Sequence, residues 1–190
     1  MRPSYDRLFA IASVQDGLFA TRQAAEAGYS PQLLAHHIRA GRMVRVRRGV
    51  YRLVHYPAVG SHEDFVAVWL WSDRAGVFSH DTALMLHDLS DVLPAKMHLT
   101  LPAAWRMRRL RAPVGVVLHY GYVSPDDRCW FGPVPATAPV RTLTDCAADH
   151  LSPDRLRSAA VDALARGLVA RRDLAAVEVA LAPFGELHGA

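Results

Sequence analysis

Apolar positions in the first forty residues recur at helical spacing and are broken by glycine. Leu8, Ile11 and Ala12, with Gln15, form one stripe over Ser4 to Gln15, and Gly17 stops it. Thr21 is a candidate N-cap for a short helix through Ala27, with Gly28 just past its end. Ser30-Pro31 opens a third helix as cap residue and Pro at N1, and Gly41 closes it. Three short helices, the last two joined by a tight glycine turn, predict a helix-turn-helix. The period then falls to two. Val44 and Val46 alternate with Arg45 and Arg47, Arg48-Gly49 suits a turn, and Val50 to Val54 reads as the returning strand. The valines are expected to hold this hairpin, the wing of a winged helix, against the helices.

Residues 56–60, Tyr-Pro-Ala-Val-Gly, interrupt both periods and predict a linker. Ser61-His62-Glu63-Asp64 fits a capping box ahead of an apolar helix containing Trp69 and Trp71, which cannot both face inward. Strands are expected at Val77-Phe78, Met97 to Leu101, Val114 to Tyr120 and Cys129 to Val134, the third being central because it is continuously apolar. A helix is expected at Thr82 to His87, and three more at about 139–149, 153–166 and 171–181. The predicted fold is therefore α+β: a winged helix-turn-helix domain over 1–56, then a mixed α/β domain over 61–190 ending in helices.

Charge sharpens this division. The chain of 190 residues carries a net +4, but residues 1–60 hold nine arginines against three acids, a balance of +6. The remainder holds 13 basic and 15 acidic residues, a balance of −2. A basic N-terminal third points to a polyanion. Cys129 and Cys146 lack disulfide or zinc-finger spacing and are expected as reduced, partly buried thiols. No signal-peptide pattern or membrane-length apolar run occurs, so a cytoplasmic protein is expected.

On the third helix, Leu34 and Ile38 should point inward, and His37 beside them is expected to be structural. Gln32, His36 and Arg39 fall on the opposite side. Glutamine pairs bidentately with adenine and arginine with guanine, so these are the candidate base readers. Arg42, Arg45, Arg47, Arg48 and Arg52 repel one another on a thin hairpin unless a polyanion is near, and are the candidate phosphate or minor-groove contacts. Arg106, Arg108, Arg109 and Arg111 after Trp105 form a second basic patch, suited to flanking DNA, to an acidic protein face, or to solvent alone.

His80-Asp81, His87-Asp88, Asp91 and His98 invite a metal or catalytic reading. His80 and His87, however, would lie about 10.5 Å apart along a continuous helix, too far for one ion. Cys146 and His150 offer an i, i+4 pair beside Asp145, but the sequence names no further ligand. Asp81 and Asp88 are expected as cap or turn residues and the histidines as hydrogen-bonded structural imidazoles. With no phosphate loop, GxSxG or HExxH, neither catalytic residues, a metal nor a cofactor are expected.

Several segments carry a family resemblance. Gly17-Leu18-Phe19-Ala20-Thr21-Arg22-Gln23-Ala24, Gly28-Tyr29-Ser30 and Arg48-Gly49-Val50-Tyr51 resemble the N-terminal winged helix of AbiEi-family antitoxins of type IV toxin-antitoxin systems. Ser79-His80-Asp81-Thr82-Ala83-Leu84, His87-Asp88-Leu89-Ser90, His98-Leu99-Thr100-Leu101-Pro102 and Arg141-Thr142-Leu143-Thr144-Asp145-Cys146 are similar to its second-domain segments, so the resemblance spans most of the chain. It implies a transcriptional autorepressor binding inverted repeats in its own promoter, with DNA contacts on residues 30–40 and 42–52. It also implies a second domain that counters a cognate nucleotidyltransferase-like toxin. Two alternatives stand beside it: a protein-interaction module whose basic wing grips an acidic toxin, and a phosphotransfer enzyme acting on the toxin. Inverted repeats can be met by a dimer or by two monomers, and no coiled-coil heptad chooses between them.

Overall fold

The computed structural model describes residues 2–57, 62–185 and 187. The chain divides into two compact units, residues 1–75 with 132–134, and residues 76–131 with 135–190. Helix and sheet are mixed throughout, so the fold is α+β.

The first unit opens with helix α1 (Tyr5–Ser13), where the Ser4 hydroxyl accepts from the Arg7 amide at 3.2 Å. Strand β1 (Leu18–Ala20) follows; at three residues it is too short to show a period in the sequence. Helix α2 (Thr21–Glu26) begins at Thr21 itself, so its cap falls one residue earlier than expected, on Ala20. Gln23 Oε1 accepts from the Ala20 amide at 2.8 Å, while Thr21 donates through its amide (2.9 Å) and hydroxyl (3.2 Å) to the Gly49 carbonyl. Gly28, at φ +89°, passes so close to Arg2 that a Cβ would lie 2.5 Å from its carbonyl oxygen. Helix α3 (Pro31–Arg39) begins as expected, with Ser30 accepting from the Leu33 amide at 3.2 Å. Strands β2 (Met43–Arg47) and β3 (Val50–Leu53) close the wing around Gly49, giving a sheet of order β1-β3-β2.

Both faces of this small sheet are covered. Met43 pairs with Leu53, and Phe19 and Arg45 with Tyr51; this face packs on Leu8, Ala12, Ala24 and Leu34 of the three helices. The other face carries Leu18, Val44 and Arg52 in one row and Ala20, Arg47 and Val50 in the next. Helix α4 (Glu63–Trp71), buried nearly all round, packs against all three strands, with Trp69 buried and Trp71 partly so. This packing places α4 in the first unit, so the units part after residue 75, whereas the period change points to residues 56–60. Residues 58–61, including the cap candidate Ser61, lie outside the described residues.

The expected valine anchors of the wing are corrected by this register. Val50 is buried at 1% exposure, but on the α4 face of the sheet; on β2, Met43 at 2% is the anchor, whereas Val44 is 39% exposed and Val46 only partly buried. An irregularity between Arg45 and Arg47 shifts the pairing by one residue, which carries Arg47 to the opposite face from Arg45.

The second unit holds β4 (Val77–Phe78), α5 (His80–Leu86), β5 (Met97–Pro102), β6 (Val116–Gly121), β7 (Arg128–Phe131) and, from Pro135 on, β8 (Val134–Thr137). Helices α6 (Pro139–Ala148), α7 (Pro153–Ala165) and α8 (Ala175–Leu181) complete it. The sheet order is β6-β5-β4-β8-β7, so β6, expected to be central, is an edge strand. Its apolar residues are only partly buried, and a short 3-10 segment (Ala103–Met107) packs against it. The strand expected at 129–134 is two, parted by Gly132 at φ +55°. Leu84, Leu143, Cys146, Leu156, Leu174 and Leu181 build one apolar cluster from α5 to α8, with Pro at the first position of both α6 and α7.

Two buried polar groups yield measurable expectations. Gln15 and Gln23 exchange amide hydrogen bonds at 2.8 and 3.2 Å, and Gln15 Nε2 also donates to the Leu18 carbonyl at 3.0 Å. Gln23→Ala strands the Ala20 amide and one side of Gln15, and should lower the urea unfolding free energy by about 2 kcal/mol. A loss below about 0.5 kcal/mol would show that the pair is not holding β1 to α2.

His87 Nε2 donates to the Thr137 carbonyl at 2.7 Å, and burial holds its pKa below the ordinary histidine value, outweighing that hydrogen bond. The unfolded chain therefore takes up this proton first as pH falls. The contribution is present above about pH 6.5 and is lost below it. His87→Gln should flatten the fall in urea midpoint between pH 7 and the folded-state pKa; parallel pH profiles for the two chains would exclude His87 as a source.

Candidate nucleic-acid interface

Helix α3 is amphipathic across its width. Leu34 is buried and Leu33 and Ile38 are half-buried against the helical core, leaving Gln32, His36 and Arg39 exposed at i, i+4 and i+7 on the other side. His37 belongs to the packed side. Its ring lies 5.5 Å from that of Tyr29, and Arg42 Nη1 stands 3.4 Å from its Nδ1. Desolvation first, then Arg42 and His36, lower its pKa, so at neutral pH it adds no charge.

The wing arginines separate into two groups. Arg42, Arg45 and Arg48 are exposed, and with Arg39 they have no acidic partner among the described residues. Arg45 Nε makes a long contact, 3.4 Å, to the Arg47 carbonyl, and Arg48 stands at the turn that Thr21 ties down. Arg47 and Arg52 sit on the α4 face and meet acids of that helix's first turn. Arg52 donates to Glu63 at 2.9 Å with both side chains about two-thirds buried, whereas Arg47 lies 3.7 Å from an exposed Asp64. Of the eight candidate contacts, six are therefore open, one is loosely paired and Arg52 is committed within the fold. Period-two reading did not reveal these counter-ions, although two acids in the turn after a basic hairpin were a visible signal.

The second patch lies on and after the 3-10 segment of the second unit. Arg108 stacks over Trp105 at 4.1 Å and Arg106 lies 6.0 Å from the Tyr120 ring. Arg106, Arg108, Arg109 and Arg111 are exposed with no acidic partner among the described residues.

The candidate chemistry of the second unit is rearranged. Asp81 pairs with Arg155 at 2.8 Å, Asp88 turns the chain at φ +57°, and Asp145 accepts from Arg141 at 2.8 Å. Cys146 is buried on α6, and burial pushes its thiol pKa up; His150 lies beyond the helix at φ +56°, so the two do not share a helix face. His80 and His98 are brought beside His119, which the sequence did not single out, while His87 stays on Thr137. Cys129 and Cys146 are both free thiols. Among the described residues no helix is long and apolar enough to cross a membrane.

Residues 6–54 match the family model described as "Transcriptional regulator, AbiEi antitoxin". That span covers α1 through the end of the wing. Among solved structures, the chain is similar to the RV2827C protein from Mycobacterium tuberculosis, at 16% identity and a TM-score of 0.47, over 98% of this chain and 79% of that one. No curated protein matches the chain.

The two ion pairs should separate in double-mutant cycles on urea unfolding. Arg52 and Glu63, cycled through Gln, should couple by about 1 kcal/mol, and Arg47 with Asp64 by about 0.3 kcal/mol or less. Equal coupling would remove the distinction between a structural and an available wing arginine.

Proposed function

We propose that the protein is a cytoplasmic DNA-binding regulator of the antitoxin type, which represses its own operon by binding inverted repeats in the promoter. The observation that carries this reading is the set of open residues on α3 and the wing: Gln32, His36 and Arg39 on one helix face, and Arg42, Arg45 and Arg48 beyond it. Four of the six are arginines without counter-ions among the described residues, on a unit whose N-terminal segment matches a regulator family. Helix α3 enters the major groove and reads base edges, and the wing neutralises phosphates or enters the minor groove. Arg47 joins by exchanging Asp64 for a phosphate, since an exposed pair at 3.7 Å costs little to open. Arg52 takes no part.

The second unit supplies the toxin-facing function in this reading, acting on a cognate nucleotidyltransferase-like toxin. Its basic patch around Trp105 favours direct contact with an acidic surface, because the stacked Arg108 is held in place and makes no ion pair among the described residues.

A mobility-shift assay with the region upstream of the gene tests the DNA assignment. Arg45→Ala with Arg48→Ala should weaken binding and reduce the log-log salt slope by about 1.8, at about 0.9 per phosphate contact. Arg39→Ala or Gln32→Ala should change sequence preference, and Arg52→Ala should leave the slope unaltered. An unaltered salt slope in the double variant would refute the wing contacts. In cells co-expressing the neighbouring toxin, the double variant should lose repression while protection is retained.

A further inference from the structure

We propose that His80, His98 and His119 form a binding site for a divalent transition-metal cation of the zinc class, with a further coordination position open toward Asp149. The proposal is independent of DNA binding, since all these residues lie in the second unit.

The fold assembles the three imidazoles from three separate elements. Strands β5 and β6 are parallel, with Thr100 opposite His119, so His98, two residues back, is a diagonal neighbour on the same sheet face. His80 is the first residue of α5, directly after Ser79, whose amide donates to the His98 carbonyl at 3.1 Å. It is held at φ +52°, a left-handed conformation unfavourable for a non-glycine residue. That strain carries the ring over His119, with centroids 3.6 Å apart.

One nitrogen from each ring comes within 4.8 Å of the others, and His98 Nδ1 stands 3.0 Å from His119 Nε2. Ligands at about 2.0 to 2.1 Å from a tetrahedral zinc ion are separated by roughly 3.3 Å, so the spacing suits one ion; the His80 and His119 rings, stacked with 15° between their planes, must rotate apart about their side-chain torsions before their in-plane lone pairs converge on it. His80 is buried and His98 and His119 are partly buried, which favours neutral rings; one of His98 Nδ1 and His119 Nε2 donates to the other when no metal is bound, and that ring switches tautomer to offer its lone pair to the ion.

The surroundings have the character of a second layer around a metal. Ser79 Oγ lies 2.9 Å from His80 Nδ1 and accepts from Thr100 Oγ1 at 2.7 Å. With Nδ1 donating to Ser79, His80 keeps its lone pair on Nε2, the tautomer that an outer hydrogen bond fixes for a zinc-bound histidine. Asp149 acts electrostatically on all three histidines and, with His80 and His98, lines a cavity of about 240 Å³. On another side, Asp145 borders a cavity of about 310 Å³ with His80 and His119; its Oδ2 is buried with no hydrogen-bond partner among the described residues. Asp149 offsets part of the charge that three neutral imidazoles leave on a dication, whereas Asp145 is already paired with Arg141. Imidazole donors without a thiolate suit zinc, and three histidines with an open position leave room for water or substrate.

The test uses the full chain, stripped with chelator and titrated with Zn²⁺ by calorimetry, with metal content measured after dialysis. One ion per chain is expected, with the thermal midpoint raised by Zn²⁺. His98→Gln with His119→Gln should weaken affinity by about 100-fold or more and abolish the midpoint shift, while His87→Gln binds as the parent does. Co²⁺ substitution gives a second readout, visible ligand-field absorption in the parent that is lost in the double variant. Circular dichroism and a cooperative urea transition matching the metal-free parent confirm that the double variant is folded; were it unfolded, His80→Gln alone carries the same expectations. Metal content below about a tenth of an ion per chain in the parent, or equal affinity in parent and variants, overturns the proposal.

Discussion

Strand β3 has a neighbour on each side and a buried layer on each face, and this double confinement governs the first unit. A residue on β3 can face only the α1 to α3 core or α4, and its partners on β1 and β2 must face the same way. Tyr51 and Leu53 take the first face and Val50 and Arg52 the second. The wing's charge distribution follows from that parity. Arg52 falls beneath the acidic first turn of α4, and the one-residue shift after Arg45 sends Arg47 there too, while Arg45 and Arg48 stay clear of any acid among the described residues.

Local chemistry made much of the fold legible. Ser4, Ser30-Pro31, Pro139 and Pro153 mark helix starts through geometry that belongs to the residues themselves, and the structure begins helices there. What escaped depends on long-range pairing. Strand β1 is defined by its partner β3, and the place of α4 by the sheet face it covers; neither leaves a periodic trace. The apolar run of β6 suggested a strand between two others, but such a run records only that hydrophobic cover exists, which here includes a 3-10 segment. Among candidate contacts, the α3 face was readable because one helix fixes it. Arg52 was not, because its counter-ion lies on another element.

The same distinction applies to the histidines. Spacing along the chain separated His80 from His87 and discouraged a metal reading, since a helix allows only i, i+3 and i, i+4 neighbours. A parallel strand pair has no such restriction. It sets His98 beside a residue 21 positions away, and His119 stands in an apolar stretch that reads as plain core.

The Arg52 to Glu63 pair has a further consequence for specificity. Apolar residues at both positions could match its contribution to stability, because removing two charges from water offsets much of their attraction. They would not match its control of register. A one-residue slip of β3 would turn Arg52 into the helical core, where Leu8, Phe19 and Leu34 offer no carboxylate, and Leu53 toward Glu63. Burying an unpaired guanidinium costs several kcal/mol, a larger bias than a leucine exchanged for another apolar side chain would give. One arginine given up to an internal acid thus fixes the strand against which β2 and the turn display the other wing arginines, and only the latter remain for an external anion.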